Sequence, residues 1–378
     1  MKVSIIKQDN YDYNKIKETL LKTLDNLGGT EKFIKKGDRI LLKPNLLMKK
    51  KPEDATTTHP AMIKALAEII IDHGGTVLIG DSPGGPFISP MLNTIYKSTG
   101  MMEATNIKNT ELNYNFNSFT KEFKEGVILN NILLTDMIND VDKIINVSKL
   151  KTHGFAVFTG AVKNLFGLVP GTNKAEFHVK MPDINDFADS LIDICESVTP
   201  VLHIMDGIDA MEGAGPSGGS KRHLGLLLAS ENPHHLDLCA CKIIGLDIND
   251  VPTLRKAMDR NMIGNFDFSK DILGEKIENL IVSDFKKAPA NSGNLRNIPK
   301  PIMNLLIDRL KSKPVFHHDI CIGCGDCAAN CPPVAIDMID RKPEVDYDKC
   351  ISCFCCQELC PVQAITIKKP FLAKIIFK

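Results

Sequence analysis

The chain has 378 residues, 43% of them hydrophobic, so a large core and more than one domain are expected. Lys and Arg number 46, as do Asp and Glu; the resulting net charge of zero argues against a nucleic-acid binder, which is normally basic, and the absence of Trp removes a common base-stacking platform. The opening run MKVSIIKQDNYDYNK turns polar too soon for a signal peptide, and no apolar run approaches the roughly 18 residues of a membrane span, so a cytoplasmic chain with neither a membrane span nor a nucleic-acid partner is expected.

Ile16, Leu20, Leu21 and Leu24 fall at helical spacing, closed by Gly28 and Gly29. Residues 39–42 (RILL) read as a buried strand leading into Lys43-Pro44-Asn45. Pro60 opens a helix bearing Ile63, Leu66, Ile69 and Ile70, capped by Gly74 and Gly75. Residues 76–80 (TVLIG) read as a second buried strand, ending in Asp81-Ser82-Pro83-Gly84-Gly85. Further strands are expected at 143–147, 201–205 and 224–229, and helices at 184–195 and 233–244. This alternation predicts an α/β fold with a doubly wound, mostly parallel sheet over residues 1–285. Residues 286–314 read as a linker: 288–293 (APANSG) is turn-rich, and 301–310 carries one short amphipathic helix with Ile302, Leu305, Leu306 and Leu310 on one face. Residues 315–378 form a small α+β domain, whose last segment, 370–378 (PFLAKIIFK), reads as a terminal strand or packing segment.

In such sheets ligands bind past the carboxyl ends of the strands. The loops expected there are KPN (43–45), DSPGG (81–85), KLKTHG (149–154) and DGIDAMEGAGPSGG (206–219). No classical NAD or P-loop binding is expected: GxxxxGK[ST] is absent, and 213–221 (GAGPSGGSK), although it contains a GxGxxG string, is only superficially similar to a nucleotide loop. Lys43, Lys149, Lys151, Lys163 and Lys174 are all expected near the crevice and point to a small anionic substrate, such as a carboxylate or phosphate. Lys163 lies in an apolar stretch, where burial would lower its pKa and make it a usable base or nucleophile; a lysine snorkelling to solvent is the alternative. His153, among basic residues and a glycine, suits acid–base or ligand chemistry. Lys43 and Asp81 sit at strand ends, where Asp81 could orient a His or bind a cation, and Asn45 is a hydrogen-bonding neighbour. Asp206, Asp209 and Glu212 crowd one loop and could hold a divalent ion, although loop acids are usually only solvated. His59, His234 and His235 read as helix-start residues. Cys195, Cys239 and Cys241 read as small core residues.

Of the 12 cysteines, the rest all fall between Cys321 and Cys360. Without an export signal, metal or cluster ligation in a reducing cytosol is the better reading than disulfides. Cys321, Cys324, Cys327 and Cys331 follow the spacing x2, x2, x3 with Pro332 next; Cys350, Cys353, Cys356 and Cys360 repeat it with Pro361 next. CPPVAI (331–336) and CPVQAI (360–365) keep the same offset of 29, so the domain is a duplicated half. Structural zinc would use two well-separated pairs, which this spacing fits poorly. Cys355 aligns with Asp326 and is read as an extra thiol near the cluster.

Residues 316–368 resemble bacterial two-cluster ferredoxins. That resemblance implies two 4Fe–4S clusters, with the fourth Cys of each run serving the other cluster. Cys321, Cys324, Cys327 and Cys360 would hold one, and Cys350, Cys353, Cys356 and Cys331 the other. Upstream, LLKPNLL (41–47), THP (58–60), GDSPGG (80–85), KLKTHGFAVFTGAVKNLFGLVPG (149–171) and MDGIDAMEGAGPSGG (205–219) resemble the family called domain of unknown function 362, over roughly residues 1–285. A second similarity is to the lactate racemase superfamily: His153, Gly160-Ala161-Val162-Lys163, Pro170-Gly171 and His178 fall in a similar order. It would make Lys163 the anchor of a nickel-pincer nucleotide, His178 a metal ligand or near-ligand and His153 an acid/base. The small-residue run of the racemases is here replaced by AVKNLFGLVPG.

Together these readings lead to an iron–sulfur oxidoreductase of an anaerobic or microaerobic cytoplasm. Lys163, His153, Lys43 and Asp81 would act on the substrate, Asn45, Lys149, Lys151 and His178 would bind it, and the clusters would connect it to an external electron carrier or redox enzyme. A non-catalytic electron-transfer or maturation adaptor and a racemase-like isomerase are the alternatives.

Overall fold

The computed structural model describes residues 1–181, 183–288 and 312–368. The linker helix expected at 301–310 and the tail at 370–378 lie outside these residues. In chain order the larger unit contains strands β1 (Val3–Lys7), β2 (Arg39–Lys43), β3 (Thr76–Ile79), β4 (Thr110–Leu112), β5 (Ser118–Glu122), β6 (Asn131–Thr135), β7 (Lys143–His153), β8 (Val157–Thr159), β9 (Leu202–Glu212), β10 (Ser220–Ser230) and β11 (Ile272–Gly274). The central sheet runs β11-β1-β10-β9-β7-β2-β3-β4, with β8 folded back on β7 and β5–β6 a separate hairpin. β9, β7, β2, β3 and β4 are mutually parallel, while β10 runs antiparallel to both its neighbours.

Apolar strands covered on both faces need helices on both sides, and the sequence supplies them. The Tyr13–Asn26, Pro60–Asp72 and Ser89–Ser98 helices bury Leu20, Leu66 and Tyr96 against one face. The Ile184–Val198, Pro233–Ile243 and Pro252–Asp259 helices bury Leu191, Cys195, Cys239, Cys241 and Leu254 against the other. Asp12, His59 and Asn232 cap helix starts by accepting backbone N–H groups of Lys15, Ala61 and His234. The expected doubly wound, mostly parallel sheet is therefore present.

Two segments expected as loops are strands. β7 continues through KLKTH to His153, and β9 continues through DGIDAME to Glu212. The charges that mark these runs as loops are buried and paired within the fold, so the ladder extends past them. β7 and β9 stay in register to Lys149 and Asp206, then resume beyond a bulge with Lys151 opposite Met211. β1 was not foreseen, because VSIIK is short and has no period-2 alternation; it pairs with β10 and β11.

The small domain comprises β12 (Lys313–Phe316), β13 (Ile336–Ile339), β14 (Lys342–Val345) and β15 (Ile365–Lys368). β12 pairs with β15 and β13 with β14, so the outer strands of one half complete the other. The backbone repeats with the sequence: Gly323 and Ser352, Gly325 and Phe354, and Val334 and Gln363 all take left-handed conformations. The short helices Asp326–Ala329 and Cys355–Glu358 are likewise equivalent. Among the described residues no helix is long and apolar enough to cross a membrane.

Candidate functional site

Strand ends of β2 and β3 bring Lys43 and Asp81 together. Lys43 Nζ lies 2.6 Å from Asp81 Oδ1 and also donates to the Pro44 carbonyl, while the Leu46 N–H donates to Asp81 Oδ2 at 2.8 Å. The pair is fully buried. Burial pulls the Lys43 ammonium down from its ordinary value and the carboxylate of Asp81 opposes that pull. Gly167 is required beside it, because a Cβ there would collide with Asp81 Oδ1 and come within 2.6 Å of Lys43 Nζ.

Lys151, on β7, donates to Asn45 Oδ1 at 2.8 Å and to the Thr56 carbonyl at 2.7 Å. Asn45 in turn donates to Asn164, and Asn164 to Asn146. Lys163 sits on the short helix Ala161–Asn164. That helix is held by Asp237, whose carboxylate accepts the Ala161 and Val162 N–H groups at 2.6 and 3.1 Å. Burial raises Asp237 to about 7 against these two donors. Asp237 is not singled out by the sequence, where its only signal is an acid between two leucines on a predicted helix. Lys163 Nζ makes no hydrogen bond among the described residues and lies 5.8 Å from the centre of the Phe166 ring. Burial lowers its pKa, with Glu358 the largest opposing influence. Lys174 donates to the Val169 carbonyl at 2.6 Å and to Ser82 Oγ at 3.2 Å, and burial lowers it to about 7. The ring of His178 stacks on Phe187 with centroids 4.7 Å apart, leaves Nδ1 without a hydrogen-bond partner among the described residues, and is pulled down to about 3 by burial.

Asn45, Asp81, Lys151, Lys163, Lys174 and His178 line one cavity of about 110 Å³. That is room for several waters or one small organic anion. Its remaining wall comes from the cysteine-rich domain, through Asn330, Cys355, Glu358 and Leu359. The crevice predicted at the strand ends is thus closed by the second domain.

The other residues singled out in the sequence do not line the cavity. Lys43 stands behind Asp81. Lys149 is turned away, donating to Tyr11 Oη at 3.0 Å and Asp206 Oδ2 at 2.9 Å. His153 ends β7; its Nδ1 accepts the Phe155 and Ala156 N–H groups, so the proton of the neutral ring sits on Nε2. That Nε2 lies 3.1 Å from Glu358 Oε1, at an angle outside hydrogen-bond geometry, and neither atom has a hydrogen-bond partner among the described residues. The three acids of the 206–219 segment separate: Asp206 meets Lys149, Asp209 meets His223, and Glu212 accepts the Lys286 N–H. Among the described residues no group of three or more His, Cys, Asp or Glu surrounds a single metal ion.

In the small domain Cys321, Cys324, Cys327 and Cys360 line one small cavity with Phe316, Met338 and Ile365. Burial pushes the Cys331 thiol up, with Cys353 and Cys350 adding to the rise, and it pushes Cys356 up likewise, with Cys353, Cys350, Cys331 and Cys327 adding to it. Backbone N–H groups of Gly323, Ala335 and Ala364 donate to the sulfurs of Cys321, Cys331 and Cys360 at 3.4, 3.3 and 3.2 Å. An all-thiol donor set, with amides directed at sulfur, fits iron–sulfur clusters. Cys355 is buried in the cavity wall beside Lys163.

Comparison with known proteins places these units. Residues 40–242 match the family model "Domain of unknown function (DUF362)", and residues 313–361 match "4Fe-4S dicluster domain". A curated relative, the thylakoid-associated protein sll1697 of Synechocystis, is 35% identical over 254 residues, spanning 67% of this chain and 77% of its own. Among solved structures, the lactate racemase apoprotein of Thermoanaerobacterium thermosaccharolyticum aligns with a TM-score of 0.40 and 14% identity over 62% of this chain and 56% of that one. A Thermotoga maritima protein aligns with a TM-score of 0.33 and 16% identity over 53% and 51%. The chain thus spans little more than half the length of either structural neighbour. Its C-terminal unit is of the iron–sulfur electron-transfer type. By the extent of both sequence matches, the chain belongs to the domain-of-unknown-function-362 family and carries a 4Fe–4S dicluster domain after it.

Proposed function

We propose that the protein is a ferredoxin-linked oxidoreductase of an anaerobic cytoplasm. In this reading a small anionic substrate binds in the cavity between the two domains and exchanges electrons with two 4Fe–4S clusters. The observation that carries the reading is the shared wall. Cys355 and Glu358, which flank the cluster ligand Cys356, face Lys151, Lys163, Lys174 and His178 across one cavity. Lys163 would meet the anion directly, since it alone of these lysines has no hydrogen bond among the described residues. Lys151 and Lys174 are already bonded and would set the field around it. His178 Nδ1 would accept or donate a proton at the substrate. Lys43 would act through Asp81, and His153 through Glu358. When bound, the clusters would supply single electrons; the thiols of Cys321, Cys324, Cys327 and Cys360, and of Cys350, Cys353, Cys356 and Cys331, would hold them. The division into residues 1–285, a linker, and 315–378 belongs to the same proposal, as does an external redox carrier.

The test is anaerobic purification, iron and sulfide analysis, and titration with small carboxylates and inorganic phosphate while the low-temperature paramagnetic spectrum of the reduced protein is followed. A spectrum altered by at least one of these anions is expected; one unmoved by all of them would sink the reading. Turnover by the isolated chain separates an enzyme from an electron-transfer adaptor. Lys163 and His178 also line the same cavity, and nickel analysis with intact mass on Lys163 decides the racemase-type alternative.

A further inference from the structure

We infer that the two halves of the cluster domain have unequal roles. The loop of Cys321, Cys324 and Cys327 is the port for an external one-electron carrier protein, and the loop of Cys350, Cys353 and Cys356 faces the substrate. The inference rests on the cluster reading above.

The duplication provides an internal control, because each position has a counterpart 29 residues on. Cys324 is exposed, whereas its counterpart Cys353 is buried. Ile322 is 55% exposed and Ile351 is half-buried; Asp326 is exposed and Cys355 is buried. The loops share their left-handed residues and their short helix, so local conformation does not cause the difference. The α/β domain does, by covering only the second loop. Ser217 Oγ donates to the Glu358 carbonyl at 2.5 Å, and Gln357 Nε2 donates to the Ala214 carbonyl at 3.2 Å. Leu359 packs on Gly84, where a Cβ would lie 2.9 Å from its Cδ2. No residue of the 321–327 run lines the lysine cavity, whereas Asn330 and Cys355, neighbours of Cys331 and Cys356, do.

Electron tunnelling falls steeply with distance, so a carrier must approach an uncovered loop. Ile320 and Ile322, 47% and 55% exposed, flank Cys321 on such a loop. Cys327 and Cys356 share the small core between the halves, with Cys321 packed against it, giving a continuous path from the first loop inward. Each electron entering leaves the carrier protein oxidised by one electron and the chain reduced by one; no bond forms or breaks.

The full chain, reconstituted anaerobically with iron and sulfide, tests this. A ferrous chelator is added, freed thiols are trapped with iodoacetamide, and labelled cysteines are located by peptide mass. Cys321, Cys324 and Cys327 are expected to label at least about tenfold faster than Cys350, Cys353 and Cys356, because the chelator reaches the uncovered loop first and access governs thiol reactivity. In a second arm, Ile322→Arg slows reduction by a small iron–sulfur carrier protein several-fold and leaves reduction by dithionite unchanged. Simultaneous labelling of both sets, the reverse order, or equal slowing with both reductants would overturn the assignment. The labelling order does not depend on any anion binding in the cavity, so failure of the substrate reading and failure of this one are distinguishable.

Discussion

Glu358, from the cysteine-rich domain, places its Oε1 3.1 Å from Nε2 of His153 at the end of β7, joining the two domains at the floor of the lysine cavity. His153 is itself held by two backbone N–H groups on Nδ1, so its ring orientation is set before Glu358 meets it.

Replacing His153 tests that arrangement. His153→Ala leaves the Phe155 and Ala156 N–H groups without their acceptor, at a cost of about 2–4 kcal/mol in unfolding free energy. Urea denaturation measures it. His153→Phe should do no better, because a phenyl ring accepts neither N–H; full recovery by Phe would mean that the ring serves only packing.

The Lys43–Asp81 pair should behave as a buried ion pair. Lys43→Met strands the carboxylate of Asp81 and should destabilise the protein by about 3–5 kcal/mol. Adding Asp81→Leu should recover part of that loss. A double variant no more stable than Lys43→Met would show that the pair is not the unit being broken.

Lys163→Met should weaken binding of a small anion about 10- to 100-fold, the equivalent of about 1.4–3 kcal/mol for one charge-assisted hydrogen bond. Folding should be unaffected or slightly stabilised, since the ammonium makes no hydrogen bond among the described residues. Calorimetric titration with lactate, pyruvate and inorganic phosphate, paired with thermal melting, reads both quantities.

Stability should fall in mild acid. Burial pulls His178 and His203 down to about 3. Unfolded, each ring takes up a proton near pH ~6.5, so between those values the unfolded chain binds more protons than the native one. The stabilisation is fully present above pH ~6.5 and is lost as pH drops toward 3, by up to ~1.4 kcal/mol per pH unit for each ring. Urea midpoints followed downward from neutral pH measure the slope. His178→Phe, which keeps the stacking on Phe187 and Phe155, should make it shallower.

Cys355→Ala should retain about eight iron atoms per chain, whereas Cys356→Ala should lose about half of them, because only the second residue stands in a ligand position of the repeat. Iron analysis after anaerobic reconstitution decides between them. Equal loss in both variants would make Cys355 a ligand.

The cysteine spacing, the 29-residue repeat and the strand–helix alternation were all legible in the sequence, because ligand spacing and helical or strand periodicity are local properties of the chain. The helices opened at Pro60 and Pro233 and the strands ending at Lys43 and Ile79 followed for the same reason. Tertiary structure alone decided the fate of the lysines. Lys149 and Lys163 are similar on paper, but Asp206 and Tyr11, distant in sequence, consume the first, while the second makes no hydrogen bond among the described residues. It also decided that KLKTH and DGIDAME are strands, since the partners of their charges, such as Asp206 for Lys149 and His223 for Asp209, meet them only in the folded sheet. The asymmetry of the two cysteine loops arose the same way. The two runs share their cysteine spacing and their left-handed backbone positions, yet the α/β domain covers one and not the other, and burial is set by neighbours distant in sequence.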